Sequence, residues 1–156
     1  MGGTKAGGNY SPVLFTQLEA KKQGFADVCY LDALTNSNLE EVSSCNIFVV
    51  RGKTVSTPPL TGTILPGVTR RSVMKLLEDA GYDVREEQVP VTEACQADEV
   101  FTTGTAVVVS SVGSLTYEGA PLFPLSAWVV RPREHPLMRV SRCRRSRLVS
   151  RDGQQI

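Results

Sequence analysis

Apolar and polar positions change period several times along the chain. After a glycine-rich opening, Ser11 and Pro12 make an N-cap and first-turn pair. Val13, Leu14 and Leu18 follow before Gly24, which predicts a short helix. Asp27 to Leu31 and Cys45 to Val50 are short runs of strand-forming residues, and Arg51-Gly52 supplies a tight turn into Thr54 to Thr57, so this stretch predicts a hairpin. Pro58-Pro59 ends that strand. Pro66-Gly67 then precedes Val68, Val73, Leu76, Leu77 and Ala80, a spacing that gathers one apolar face on a helix stopping at Gly81. Beyond it, Asp83 to Val89 alternates as a strand, Thr92 caps a short helix, and Glu99 to Thr103 and Ala106 to Val112 read as further strands.

Strands and short helices mix without a strict βαβ repeat, which predicts an α+β or irregular α/β domain. A length of 156 residues, 41% of them apolar, suits one core of ordinary size. Residues 120–156 show no sustained period and are broken by Pro121, Pro124, Pro132 and Pro136. The expectation is a partial domain over 1–119 and a divergent, disordered, arginine-rich tail over 120–156. Charge changes at the same place. Residues 1–119 carry nine Lys or Arg against fourteen Asp or Glu, whereas the last 37 carry eight arginines against Glu134 and Asp152, so the net charge of +1 conceals two unlike segments.

Composition narrows the chemistry. Cys29, Cys45, Cys95 and Cys143 are scattered without a CxxC pair, and are expected to be reduced thiols, with Cys29 and Cys45 on strands. His135 is the only histidine and sits among prolines and charges, so a Ser-His-Asp triad or a histidine zinc site is not expected. The opening MGGTKAGGNY has neither a signal-peptide core nor an arginine-rich transit pattern, and no run of apolar residues is long enough to span a bilayer.

Three segments have the residue types for cofactor chemistry. In TKAGGNY, Lys5 has the flexible amine a carbonyl-reactive lysine needs, Gly7 and Gly8 permit a flat ligand to approach, and Tyr10 offers a phenolic hydrogen bond. Taken alone, a lysine among glycines is more often a solvated loop residue. In GTILPGVTR, the unpaired N–H groups of Val68 and Thr69 at a helix start suit a phosphate, and Thr102-Thr103-Gly104-Thr105-Ala106 offers hydroxyls to the same anion; Pro-Gly before a helix is also common punctuation. Glu40 and Glu41 stand at a strand start, where an inward carboxylate needs a positive partner such as a protonated pyridine nitrogen, although a solvated pair is the ordinary case.

Together, KAGGNY, LEEVSSCNIF, GTILPGVTR and DEVFTTGTAVVVS stand in an order and spacing that resembles the branched-chain amino acid aminotransferases of fold type IV, the plant enzymes most of all. The likeness runs from residue 2 to about 118. It implies the larger domain of a pyridoxal 5'-phosphate (PLP) enzyme that moves the amino group of leucine, isoleucine or valine to 2-oxoglutarate in two half-reactions. On this resemblance Lys5 is the catalytic lysine, bonded to the cofactor and moving the substrate proton. Tyr10 bonds the ring oxygen, Glu41 faces the ring nitrogen, and Val68, Thr69 and Thr105 hold the phosphate. The amides of Thr105 and Ala106 lie by the substrate carboxylate. Branched-chain amino acids and 2-oxo acids are the implied partners, and relatives are homodimers of plastid, mitochondrion or cytoplasm.

The resemblance also has gaps. Relatives have a smaller N-terminal domain that supplies an arginine to the phosphate and much of the pocket wall, and a closing helix after the point where PLFPLSAWVV begins here. The expectation is a chain truncated at both ends, weak in PLP binding and turnover, with Ile47, Val50 and the apolar face of the Val68 helix exposed, and a tail translated from intron or shifted-frame sequence. Two other readings stay open: a non-catalytic binder of nucleic acid or an acidic partner through RVSRCRRSRLVSR, though this run lacks interleaved aromatics and Trp128 stands outside it, and another fold type IV enzyme such as a D-amino acid aminotransferase or an aminodeoxychorismate lyase.

Overall fold

The computed structural model describes residues 2–117, 120–121 and 137–142. His135, Trp128 and Cys143 lie outside the described residues. A 3-10 turn at Gly7–Asn9 leads into helix α1 (Ser11–Lys22), followed by strands β1 (Asp27–Leu31), β2 (Leu39–Val42), β3 (Cys45–Arg51) and β4 (Thr54–Thr57). Helix α2 (Val68–Asp79), strand β5 (Asp83–Glu86), the short helix α3 (Val91–Ala94) and strands β6 (Glu99–Thr103), β7 (Val109–Tyr117), β8 (Ala120–Pro121) and β9 (Leu137–Arg142) complete the order. No described helix is long and apolar enough to cross a membrane.

The strands form one sheet in the order β2-β1-β9-β7-β6-β3-β4-β5, and an additional β2–β3 pairing joins its first strand back to β3. Six strands therefore close into a ring, with β4 and β5 continuing outward from β3. Closure gives the sheet an inside and an outside, and strand alternation sends successive side chains to each in turn. Cys29, Leu31, Leu39, Val42, Ile47, Val49, Val100 and Leu115 fill the inside together with Val89, Val91 and Ala94. On the outside, α1 packs through Ala20 against Val28 and Phe25, and α2 presents Val73, Met74 and Leu77 to Phe48, Val55 and Phe101. The Phe48 and Phe101 rings stack with centroids 4.9 Å apart.

These contacts correct several expectations. Ile47 is fully buried and Val50 is half-buried, because ring closure supplies an interior for one and α2 covers the other; of the predicted apolar face, Val68, Leu76 and Ala80 are exposed. The glutamate pair belongs to a separate strand, β2, which turns through Ser43 and Ser44 into β3. Pro90, not Thr92, caps α3, since its extended backbone directs the chain into the turn. Strand β7 starts at Val109 rather than Ala106, and β5 ends at Glu86 rather than Val89. Leu137–Arg142 is a strand that pairs antiparallel with both β1 and β7. Without it both of those strands would present unpaired backbone edges, which is why an extended segment with little pattern of its own pairs there.

Candidate functional site

Tyr10 and Glu41, 31 positions apart in sequence, line one cleft of about 440 Å³ on the outer face of the ring, together with Thr4, Tyr30, Asn46 and Leu65. Tyr10 arrives as the cap of α1, and Glu41 through the β2–β3 pairing. Glu41 lies directly across from Asn46, and Asn46 directly across from Thr103, so one row of three polar residues runs over β2, β3 and β6 on the same face. Phe48 and Phe101 form the next outward row, under α2.

The Glu41 carboxylate is half-buried and accepts the Leu65 N–H at 3.3 Å. Burial pushes its pKa above the usual carboxylate value and the nearby Glu40 adds to this, while the Leu65 hydrogen bond opposes both. Glu40 itself accepts the Thr63 hydroxyl at 2.8 Å. Both glutamates thus fasten the segment that leads into α2. The same segment carries the lysine-bearing opening of the chain. The Gly3 N–H donates to the Gly62 carbonyl at 2.9 Å, and a side chain at Gly2 would collide with the Thr63 backbone. Lys5 itself is exposed and does not line the cleft, although its neighbour Thr4 does.

Helix α2 opens at Gly67, whose extended backbone lets the N–H groups of the first turn point outward without intrahelical partners. Val68 and Thr69 occupy that turn. Val68 borders a neighbouring hollow with Arg70 and Glu86 rather than the cleft of Glu41. Arg70 is buried and donates to the Pro58 carbonyl at 2.9 Å and to Glu86 at 2.8 Å, tying the turn to β4 and β5. Thr105 and Ala106 are exposed in the connection between β6 and β7, also away from the lining of the cleft.

The hydroxyl run is divided by strand alternation. Thr102 pairs with Ile47 of the interior and its hydroxyl reaches the Ser110 carbonyl at 3.4 Å, whereas Thr103 faces outward beside Asn46. Thr103 is 1% exposed and its Oγ1 has no hydrogen-bond partner. On the other flank, Asp27 accepts bonds from Gln17 at 3.0 Å, from the Ser43 hydroxyl and from the Val28 N–H, and the Tyr30 hydroxyl meets that of Thr16 at 3.0 Å. Cys29, Cys45 and Cys95 are free thiols, Cys29 on β1 and Cys45 opening β3. No group of metal-binding side chains occurs among the described residues.

Asn46 was not legible as a site residue from sequence. A two-residue hairpin turn at Ser43-Ser44 is the signal that would have aligned it with Glu41.

The family model for amino-transferase class IV matches residues 4–115. The chain is 57% identical over 116 residues to branched-chain-amino-acid aminotransferase 6 of Arabidopsis thaliana, covering 74% of this chain and 33% of that protein. Among solved structures, branched-chain amino acid aminotransferase of Escherichia coli matches with a TM-score of 0.67 at 36% identity, over 72% of this chain and 36% of the other. An aminotransferase of Brucella abortus, solved bound to the cofactor PLP, matches with a TM-score of 0.64 at 36% identity, over 70% and 39% of the two chains. The chain spans about a third of the length of the curated relatives it matches.

Proposed function

We propose, from the premise that the chain belongs to the class IV amino-transferase family, that it is the cofactor-binding part of a PLP-dependent branched-chain amino acid aminotransferase. The observation that carries this reading is the common cleft of Tyr10 and Glu41, a phenol and a half-buried carboxylate on one outer face of the ring. Three further features suit a phosphorylated aromatic cofactor. The α2 start offers free N–H groups, Thr103 keeps a buried hydroxyl without a partner, and Glu41 is an acid that a cationic ring nitrogen would hold ionised.

When bound, PLP supplies an electron sink that makes the Cα proton of an amino acid removable. In this reading Glu41 would hold the proton on the ring nitrogen, and Tyr10 would donate its phenolic hydrogen to the ring oxygen. Val68 and Thr69 offer backbone N–H groups, and Thr105 its hydroxyl, to the phosphate. Lys5 would hold the cofactor through Nζ until the substrate amine takes that bond over, and the amine so freed would take the Cα proton and later return a proton. The amides of Thr105 and Ala106 receive the substrate carboxylate. The substrate partners are the branched-chain amino acids and 2-oxo acids.

The test is to titrate the full chain with PLP and record the absorbance of the lysine-bound cofactor. A visible band, absent in Lys5→Ala and altered on adding leucine, is expected. A wild-type chain that gives no band overturns the reading, and a band insensitive to leucine overturns its substrate assignment.

A further inference from the structure

Asn46 is 6% exposed and lies in the middle of the polar row, between Glu41 and Thr103. Its Nδ2 donates to the Leu65 carbonyl at 2.9 Å. That carbonyl also accepts the Gly67 N–H at 2.8 Å, while the Leu65 N–H is the group that meets Glu41 at 3.3 Å. Leu65 is therefore held from both sides, by the carboxylate on β2 through its nitrogen and by the amide on β3 through its oxygen. The fit extends to the helix cap. A methyl placed on Gly67 would fall on Asn46 Oδ1, and the next nearest side-chain atom, Arg70 Cβ, is 3.4 Å away.

We propose that Asn46 is a positioning residue that sets the separation between the Glu41 carboxylate and the N-terminus of α2, by clamping the Leu65–Gly67 turn onto β3. The inference rests on reading the cleft as a PLP site, where the ring nitrogen and the phosphate belong to one small molecule of limited span. Such a ligand is recognised well only if its two receptors are held at a fixed distance, because slack costs ordering at each binding event. A buried amide whose two ends touch the Leu65 carbonyl and the Gly67 cap is suited to that task. The Thr103 hydroxyl beside it is buried on the same face without a hydrogen-bond partner.

The experiment uses the full chain with Asn46→Ala, Gly67→Ala and the double variant. In the free protein, the Leu65 amide resonance should report the ionisation of Glu41 in the wild type and lose that response in Asn46→Ala; an unchanged response overturns the proposal. Affinity for PLP and for pyridoxal, which lacks the phosphate, should fall together, each by about tenfold. Loss for PLP alone would show that Asn46 serves only the phosphate end and also overturns it. Gly67→Ala should reproduce both losses, and the double variant should be no worse than Asn46→Ala, because the added methyl then takes the vacated space. Additive losses overturn the clamp. Should Asn46→Ala fail to fold, Gly67→Ala carries the same readouts with Asn46 in place. If the wild type binds no PLP yet the Leu65 amide still loses its response in Asn46→Ala, the clamp stands and the cofactor reading falls.

Discussion

Glu41 Oε2 and the Leu65 backbone nitrogen stand 3.3 Å apart, joining the second strand of the ring to the segment that opens α2. A single donor only partly offsets the burial of this carboxylate, whose pKa is raised. An acid with a raised folded-state pKa contributes stability below its unfolded value and loses it as pH rises through the folded value. Glu41→Gln should therefore raise the Tm at neutral pH and leave it nearly unchanged below the unfolded carboxyl pKa. PLP binding should weaken in the same variant, since a neutral amide cannot hold the proton of the ring nitrogen. A Tm that falls at neutral pH would show that the carboxylate stabilises the fold instead.

Gly2 lies where any side chain would meet the Thr63 backbone. Gly2→Ala should displace the opening segment, and Lys5 with it, while leaving the ring intact. Borohydride trapping of PLP on Lys5 should then drop by roughly ten- to a hundredfold, the range expected when a reacting group is misplaced by about an ångström. Circular dichroism should match the wild type, and equal trapping in the two proteins would refute the prediction.

Arg70 is buried, and its Nη2 bonds both Pro58 and Glu86. Arg70→Ala removes these bonds and the packing of the long stem, and should cost about 2 kcal/mol in chemical denaturation. Glu86→Gln should cost less, because that carboxylate is 44% exposed and its replacement still accepts from the guanidinium.

Asp32 organises the connection from β1 to β2. Its carboxylate accepts the N–H groups of Thr35 at 2.7 Å, Ser37 at 3.0 Å and Asn38 at 2.7 Å, as well as the Thr35 hydroxyl. Desolvation raises its pKa, but these donors acting together outweigh it and hold the carboxyl well below the usual carboxylate range. Its stabilisation is full above the unfolded pKa and is lost as pH falls toward the depressed folded value. Asp32→Ala should cost about 1 kcal/mol at neutral pH and flatten the acid limb of the stability profile. An acid limb identical to the wild type would exclude this role.

Where the local period was strong, the chain could be read directly. The β3–β4 hairpin, the α2 helix from Val68 and strand β6 follow from residue types within a few positions of one another, and each ends where Gly or Pro interrupts it. Lys5, Tyr10 and Glu41 could be singled out in the same way, since a carbonyl-reactive amine, a phenol and a carboxylate are properties of residue type and of the motifs around them. The meeting of Tyr10 and Glu41 in one cleft is a different matter, because it depends on the β2–β3 pairing and the docking of α1 on β1. The four residues of β2 carry two acids and no clear alternation, so only pairing with β1 and β3 makes them a strand. The same holds for Leu137–Arg142, whose place is set by the open edges of β1 and β7. In sequence Asn46 is one polar residue within an apolar strand, and only register sets it between Glu41 and Thr103 and against Gly67. Hydrophobic period is a property of neighbours in sequence, whereas register, burial and the partners of a polar atom depend on residues brought together from far along the chain. The sequence by itself therefore determined which chemistry the chain can offer, and the closed sheet decided which of those groups share a face.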